Sequence, residues 1–119
     1  MIAIAGYLDF ESETARDAVV RASAELQAAT RSTERGCIAY VFAADPVESQ
    51  RVQVYELWSD EASLRAHFES ELYVSMRSVL RSEQRVDTCI RKHRIDLSQP
   101  VYDASGTARA EFFVSAGTE

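Results

Sequence analysis

The stretch CIAYVFAADPVESQRVQVYELW, residues 37–58, decides the fold. Cys37 to Ala44 is a near-continuous apolar run rich in β-formers, which reads as a strand. Asp45-Pro46 and the polar residues up to Gln50 make a turn. Arg51 to Trp58 alternates: Val52, Val54, Glu56 and Trp58 face one way, and Gln53, Tyr55 and Leu57 the other. The turn between the runs is short, so they pair as an antiparallel hairpin.

Toward the N-terminus, Ile2 to Phe10 is a further strand, with Ile2, Ile4 and Leu8 on one face and Ala3, Ala5, Tyr7 and Asp9 on the other. Between it and the hairpin, Ala15, Ala18, Val19, Ala22, Leu26 and Ala29 recur at helical spacing. Thr14 with Asp17 approximates a capping box, and Ser12 is an alternative cap. The exposed face of this helix is expected to carry Arg16, Asp17, Glu25 and Arg31, and Gly36 suits its end.

Toward the C-terminus, Ser59-Asp60-Glu61 is a helix start with acid in the first turn. Leu64 and Phe68 lie at i and i+4, a break falls near Ser70, and Leu72, Met76, Val79 and Leu80 form a second apolar stripe. Val86 to Leu97 is the last strand of the domain, and Ser98-Gln99-Pro100 ends it. The tail holds one more strand candidate, Ala108 to Val114, in which Phe112 and Phe113 need cover from water.

The order strand, helix, strand, strand, helix pair, strand predicts an α+β fold of ferredoxin-like βαββαβ type, with helices on one face of an antiparallel sheet. Ile2, Ile4, Tyr40, Phe42, Val52, Val54 and Tyr55 read as bulky apolar groups on both sheet faces. One helical layer covers one face, so a second copy is expected on the other, as a homodimer of the dimeric α/β barrel kind. Residues 1–99 form the domain; residues 100–119 are an extension, an extra strand or a dimer arm.

The chain has 119 residues, 46% of them hydrophobic, enough for one domain with its own core. Its net charge of −6 argues against nucleic acid and anionic membranes as partners. There is no apolar run long enough to span a bilayer and no leader-like start, so a cytoplasmic location is expected. Two cysteines, Cys37 and Cys89, are expected as buried small hydrophobes. With only two histidines they supply too few soft ligands for zinc, and no facial triad is visible. The four glycines form no phosphate loop after a strand. Neither a metal nor a cofactor is expected.

Gly36-Cys37, Tyr40, Asp45-Pro46, the run Tyr55 to Leu64, His67, Ser70 and Tyr73 together resemble the antibiotic biosynthesis monooxygenase domain. In that family the second hairpin strand ends in Glu-x-Trp, here Glu56 and Trp58. The next helix opens with Ser/Asp-Glu-Ala and carries Ala-His-x-x-Ser, here Ala66 to Ser70. The resemblance runs from Ile2 to about Leu97. Against the haem-degrading branch, the helical positions hold His67 and Arg77 and the first-strand position Gly6 or Tyr7, so the haem ligand is missing. The resemblance therefore implies the cofactor-independent branch, which oxygenates a small aromatic phenol or quinol with O₂.

The residue readings pair chemistry with packing. His67, beside the Leu64–Phe68 stripe, is the candidate catalytic base, since an ordinary imidazole titrates near neutrality. Its alternative is a hydrogen-bonding partner. Tyr7, Tyr40, Glu56, Trp58, Phe68, Tyr73 and Met76 are candidate substrate-binding residues. They would line an apolar cavity with a few polar groups, the usual form of a small-molecule site. Core or dimer packing accounts for the same aromatics. His93 lies among Arg91, Lys92 and Arg94, a solvated strand, an interface or an anion site. A non-catalytic binding or stress-response module on the same fold is the alternative to an enzyme.

Overall fold

A computed structural model describes residues 1–112. β1 (Ile2–Phe10), β2 (Cys37–Ala44), β3 (Arg51–Trp58) and β4 (Arg85–Arg94) form one antiparallel sheet in the order β2-β3-β1-β4. α1 (Glu13–Thr33), α2 (Glu61–Phe68) and α3 (Glu71–Arg81) complete a ferredoxin-like α+β fold. Both hairpin strands begin and end where the sequence predicts. β4 stops at Arg94, three residues before Leu97.

The helices cover the face that holds Ile2, Ile4, Leu8, Phe10, Tyr40, Phe42, Val52, Val54 and Trp58, all buried. Six of the seven residues expected on two faces therefore share one; Tyr55 alone points to the other. By register the open face carries Ala3, Ala5, Ala39 and Ala43 with Tyr7, Val41, Tyr55 and Leu57, and polar groups such as Gln53, Arg91 and His93.

α1 departs from its predicted stripe. Ser12 is the cap, its hydroxyl accepting from the Ala15 amide. The buried face is Ala15, Arg16, Val19, Ser23, Gln27 and Thr30, while Ala22 is exposed. Arg16, expected in solvent, instead donates to the carbonyls of Asp45, Glu48 and Arg51 and so fixes the β2–β3 turn. Gln27 clasps Phe42 with two 3.0 Å bonds, to its carbonyl and from its amide, and Arg31 donates to the Tyr40 carbonyl. These polar side chains satisfy the outer backbone groups of edge strand β2, which hydropathy spacing has no means to signal.

β4 is exposed along its length, including Val86, Ile90 and Cys89, so Cys89 is not the buried thiol expected. A Cβ on Gly6 would collide with the Cys89 carbonyl, so only glycine permits β4 this close to β1. In the tail, Tyr102 and Ala108 bridge across a turn organised by Asp103, which accepts from Ser105 and Thr107. Residues 108–112 form no strand; Phe113 and Val114 lie outside the described residues. Among the described residues no helix is long and apolar enough to cross a membrane.

Candidate active site

His67 sits on the buried side of α2 with 2% of its surface exposed. Asp60 caps that helix by accepting from the Ser63 amide, and Ser70 caps α3 while donating to the His67 carbonyl. The two caps hold the helix pair at the break that the sequence predicts. Leu64 of the expected i, i+4 stripe is buried, but His67 rather than Phe68 turns inward with it, and Phe68 is 44% exposed.

The imidazole Nδ1 of His67 lies 2.5 Å from the Glu34 carboxylate, which is at the C-cap of α1. Gly36, at φ +84°, makes this approach possible, since a Cβ there would strike the side chains of Ser63 and Ser59. The Ser59 amide donates to the Gly36 carbonyl and locks the turn against the start of α2. With Nδ1–H donating to Glu34, Nε2 is left as the basic nitrogen. The other Glu34 oxygen, Oε2, is buried with no hydrogen-bond partner among the described residues.

Four rings surround the imidazole. Trp58 lies 4.5 Å away between centroids, Tyr73 5.3 Å, Tyr40 5.4 Å and Phe68 5.7 Å. Trp58 is completely buried and donates its indole N–H to Glu56 Oε1 at 2.9 Å. Burial pushes the Glu56 carboxyl up to about 7; the Trp58 bond pulls it back in part, and the charge of Glu34 adds to the rise. Burial likewise lifts the Tyr40 phenol far above its ordinary range.

The fold thus gathers His67, Tyr40, Trp58, Phe68 and Tyr73 into one cluster, with Glu56 joined through Trp58. It does not bring in Tyr7, which lies on the open sheet face, hydrogen-bonded to Asp87 at 3.2 Å and stacked under Arg51. Met76 is a packed core residue of α3. Trp58, read as a possible cavity wall, is a core residue with no exposed surface. The sequence reading missed Glu34. One local signal was available: an acid at a helix C-terminus opposes the helix dipole, and such broken rules gather at sites.

His67 opens on a cleft of about 470 Å³ whose rim is polar, including Glu34, Asp60, Ser63 and Ser70. A second cleft, about 460 Å³, lies on the far side of α2, lined in part by Phe68 and Leu64. Among the described residues no three His, Cys, Asp or Glu side chains converge as metal ligands.

Comparisons with known proteins agree with this architecture. A solved structure of an antibiotic biosynthesis monooxygenase superposes with a TM-score of 0.67 and 26% identity, covering 80% of this chain and 98% of that one. A conserved protein of unknown function from Bacteroides thetaiotaomicron gives a TM-score of 0.67 at 22% identity, over 77% and 94% of the two chains. Rv0793 from Mycobacterium tuberculosis gives 0.67 at 17%, over 82% and 98%. No curated protein matches the sequence. The family model described as antibiotic biosynthesis monooxygenase matches residues 1–78, which supports a monooxygenase-like role in general terms.

Proposed function

The chain belongs to the antibiotic biosynthesis monooxygenase family, and from that premise we propose that it oxygenates a small phenol or quinol with O₂ and no cofactor, using His67 as the base. The observation that carries this reading is the buried Glu34–His67 pair enclosed by rings. A carboxylate on Nδ1 fixes the tautomer and supports the imidazolium that forms when Nε2 accepts a proton. The substrate ring stacks at the exposed edges of Phe68 and Tyr73, whose centroids lie 5.1 Å apart beside His67.

His67 takes the phenolic proton, and the resulting anion passes electrons to O₂. One oxygen atom enters the ring carbon and the other leaves as water; for a quinol, the product is the hydroxyquinone. All the electrons come from the substrate. The buried aromatic wall of Tyr40 and Trp58 keeps water from the anion. In this proposal the working unit is a homodimer joined through the open sheet face, residues 1–99 are the catalytic domain, and residues 100–119 are an arm.

A second reading, a non-catalytic small-molecule binding module, draws on one observation: Trp58 is fully packed, and the opening at His67 is polar rather than apolar. Oxygen uptake by the full chain with a panel of quinols and anthrone-like phenols separates the two. Uptake that falls in His67→Gln supports the enzyme. No uptake with any compound moves the binding module ahead.

A further inference from the structure

The cleft on the outer side of α2 has a chemistry of its own. Its volume of about 460 Å³ suits one small molecule. Leu64, Phe68 and Arg65 line it from α2. Ile2 of β1 and Lys92 and Arg94 of β4 line it from the sheet.

The register explains how the two β4 cations come to be there. Arg94 pairs opposite Ile2 and Lys92 opposite Ile4, so both share the helix-side face of the sheet. Arg91 and His93 pair opposite Ala5 and Ala3 and project to the open face. The basic run Arg91 to Arg94 is therefore split between two surfaces. Half of it meets Arg65 across the cleft.

Among the described residues, none of Arg65, Lys92 and Arg94 forms an ion pair, whereas Arg16, Arg51 and Arg109 all do. Glu61 is the one acid lining the cleft. Three cations against one acid is a local excess of positive charge in a chain of net charge −6. Arg65, Lys92 and Arg94 are solvent-exposed, so their shared positive potential is available to an anion that enters the cleft.

We infer that this cleft binds an amphipathic organic anion, an aromatic carboxylate whose ring lies on Ile2, Leu64 and Phe68 and whose charge is held by Arg65, Lys92 and Arg94. An inorganic anion would leave the apolar wall wet. A neutral aromatic would leave the cations unpaired. A polyanion such as nucleic acid would meet repulsion from the rest of the acidic surface. The cleft shares Phe68 with the proposed substrate site, but its cations are distinct and the test is read without turnover, so a protein that consumes no oxygen leaves the inference intact.

The test is titration calorimetry of the full-length protein with 2-naphthoate at pH 7, with its neutral analogue 2-naphthylmethanol alongside. Saturable binding of one naphthoate per chain is expected, with the alcohol at least about tenfold weaker. Lys92→Ala/Arg94→Ala should weaken naphthoate by about tenfold or more, and so should Arg65→Ala on the opposite wall. Arg21→Ala, on α1, should bind as the parent does. β4 is held to β1 by backbone bonds, so the variants should keep the parent circular dichroism spectrum. Equal binding of the alcohol, parent-like binding by the folded variants, or no saturable naphthoate binding would each overturn the inference. A double variant that changes mass in solution would assign the cleft to a second copy and overturn it as well.

Discussion

The imidazole of His67 and the carboxylate of Glu34 meet at 2.5 Å although they stand 33 positions apart in the chain. The contact joins the end of α1 to the last turn of α2, and the turn at Gly36 is what lets the two ends meet. His67→Ala is expected to cut turnover on a quinol by about 10²–10⁴-fold. It should also destabilise the fold by about 1–3 kcal/mol, because a buried carboxylate loses its partner. Glu34→Gln keeps an acceptor for Nδ1 but removes the charge, so kcat should fall with little change in KM. Oxygen-electrode kinetics on folded variants check both. Parent-like rates in His67→Ala would dismiss it as the base.

Glu56 gives a pH dependence with a definite sign. Its carboxyl is raised from 4.5 to about 7 in the folded chain, so between those values the native state holds a proton that the unfolded state has lost. Its stabilising contribution is fully present below about pH 4.5 and disappears as the pH rises through about 7. The shift corresponds to about 3 kcal/mol at most. Glu56→Gln keeps an acceptor for the Trp58 N–H and has no proton to lose, so it should gain stability over the parent from pH 5 to pH 8. Urea denaturation of both proteins at the two pH values measures the difference. A parent-to-variant gap that is the same at both would refute the assignment.

Trp58→Phe should affect folding before binding. The ring is completely buried and its N–H satisfies Glu56. Phenylalanine leaves that carboxylate short of a donor and a gap where the indole was, at a cost of about 2–4 kcal/mol. Thermal melts give the loss directly. An unchanged melting temperature with weakened ligand binding would return Trp58 to the list of contact residues.

Self-association through the open sheet face should give light scattering at twice the mass of one chain. Ala5→Arg places a charge in the middle of that face, opposite Tyr55 and Arg91, without touching the helix-side core. It should dissociate the dimer while preserving the secondary structure. A parent protein that scatters as a single chain at micromolar concentration would end the dimer proposal.

Removing residues 101–119 tests the arm. Val101, Tyr102 and Phe112 are exposed in the single chain, so little of the monomer's core depends on them. The truncated protein should keep its fold and self-associate more weakly. Truncated and full-length chains that associate identically would leave the tail without a part in assembly.

The sequence determined the sheet and its helices because their signals are local. The alternation in β3, the β-forming run in β2, the Asp60 cap and the break at Ser70 each lie within a few residues, and each appears in place. It also determined the face on which Glu56 and Trp58 sit, since a strand's period of two leaves no choice once the hydrophobic side is known. The tertiary structure decided everything that joins distant segments. Arg16 looked like a surface residue until the carbonyls of the β2–β3 turn were brought to it, and Gln27 carried no signal until the Phe42 carbonyl and amide met it. Phe68 looked like core and His67 like its neighbour until Glu34 supplied a buried partner for the imidazole. Arg94 and His93 looked like one basic cluster until pairing with Ile2 and Ala3 sent them to opposite faces. Hydropathy spacing tells which residues favour leaving water. Which polar groups accompany them depends on the partners that other parts of the chain present, and a buried polar group is stable only where such partners meet it.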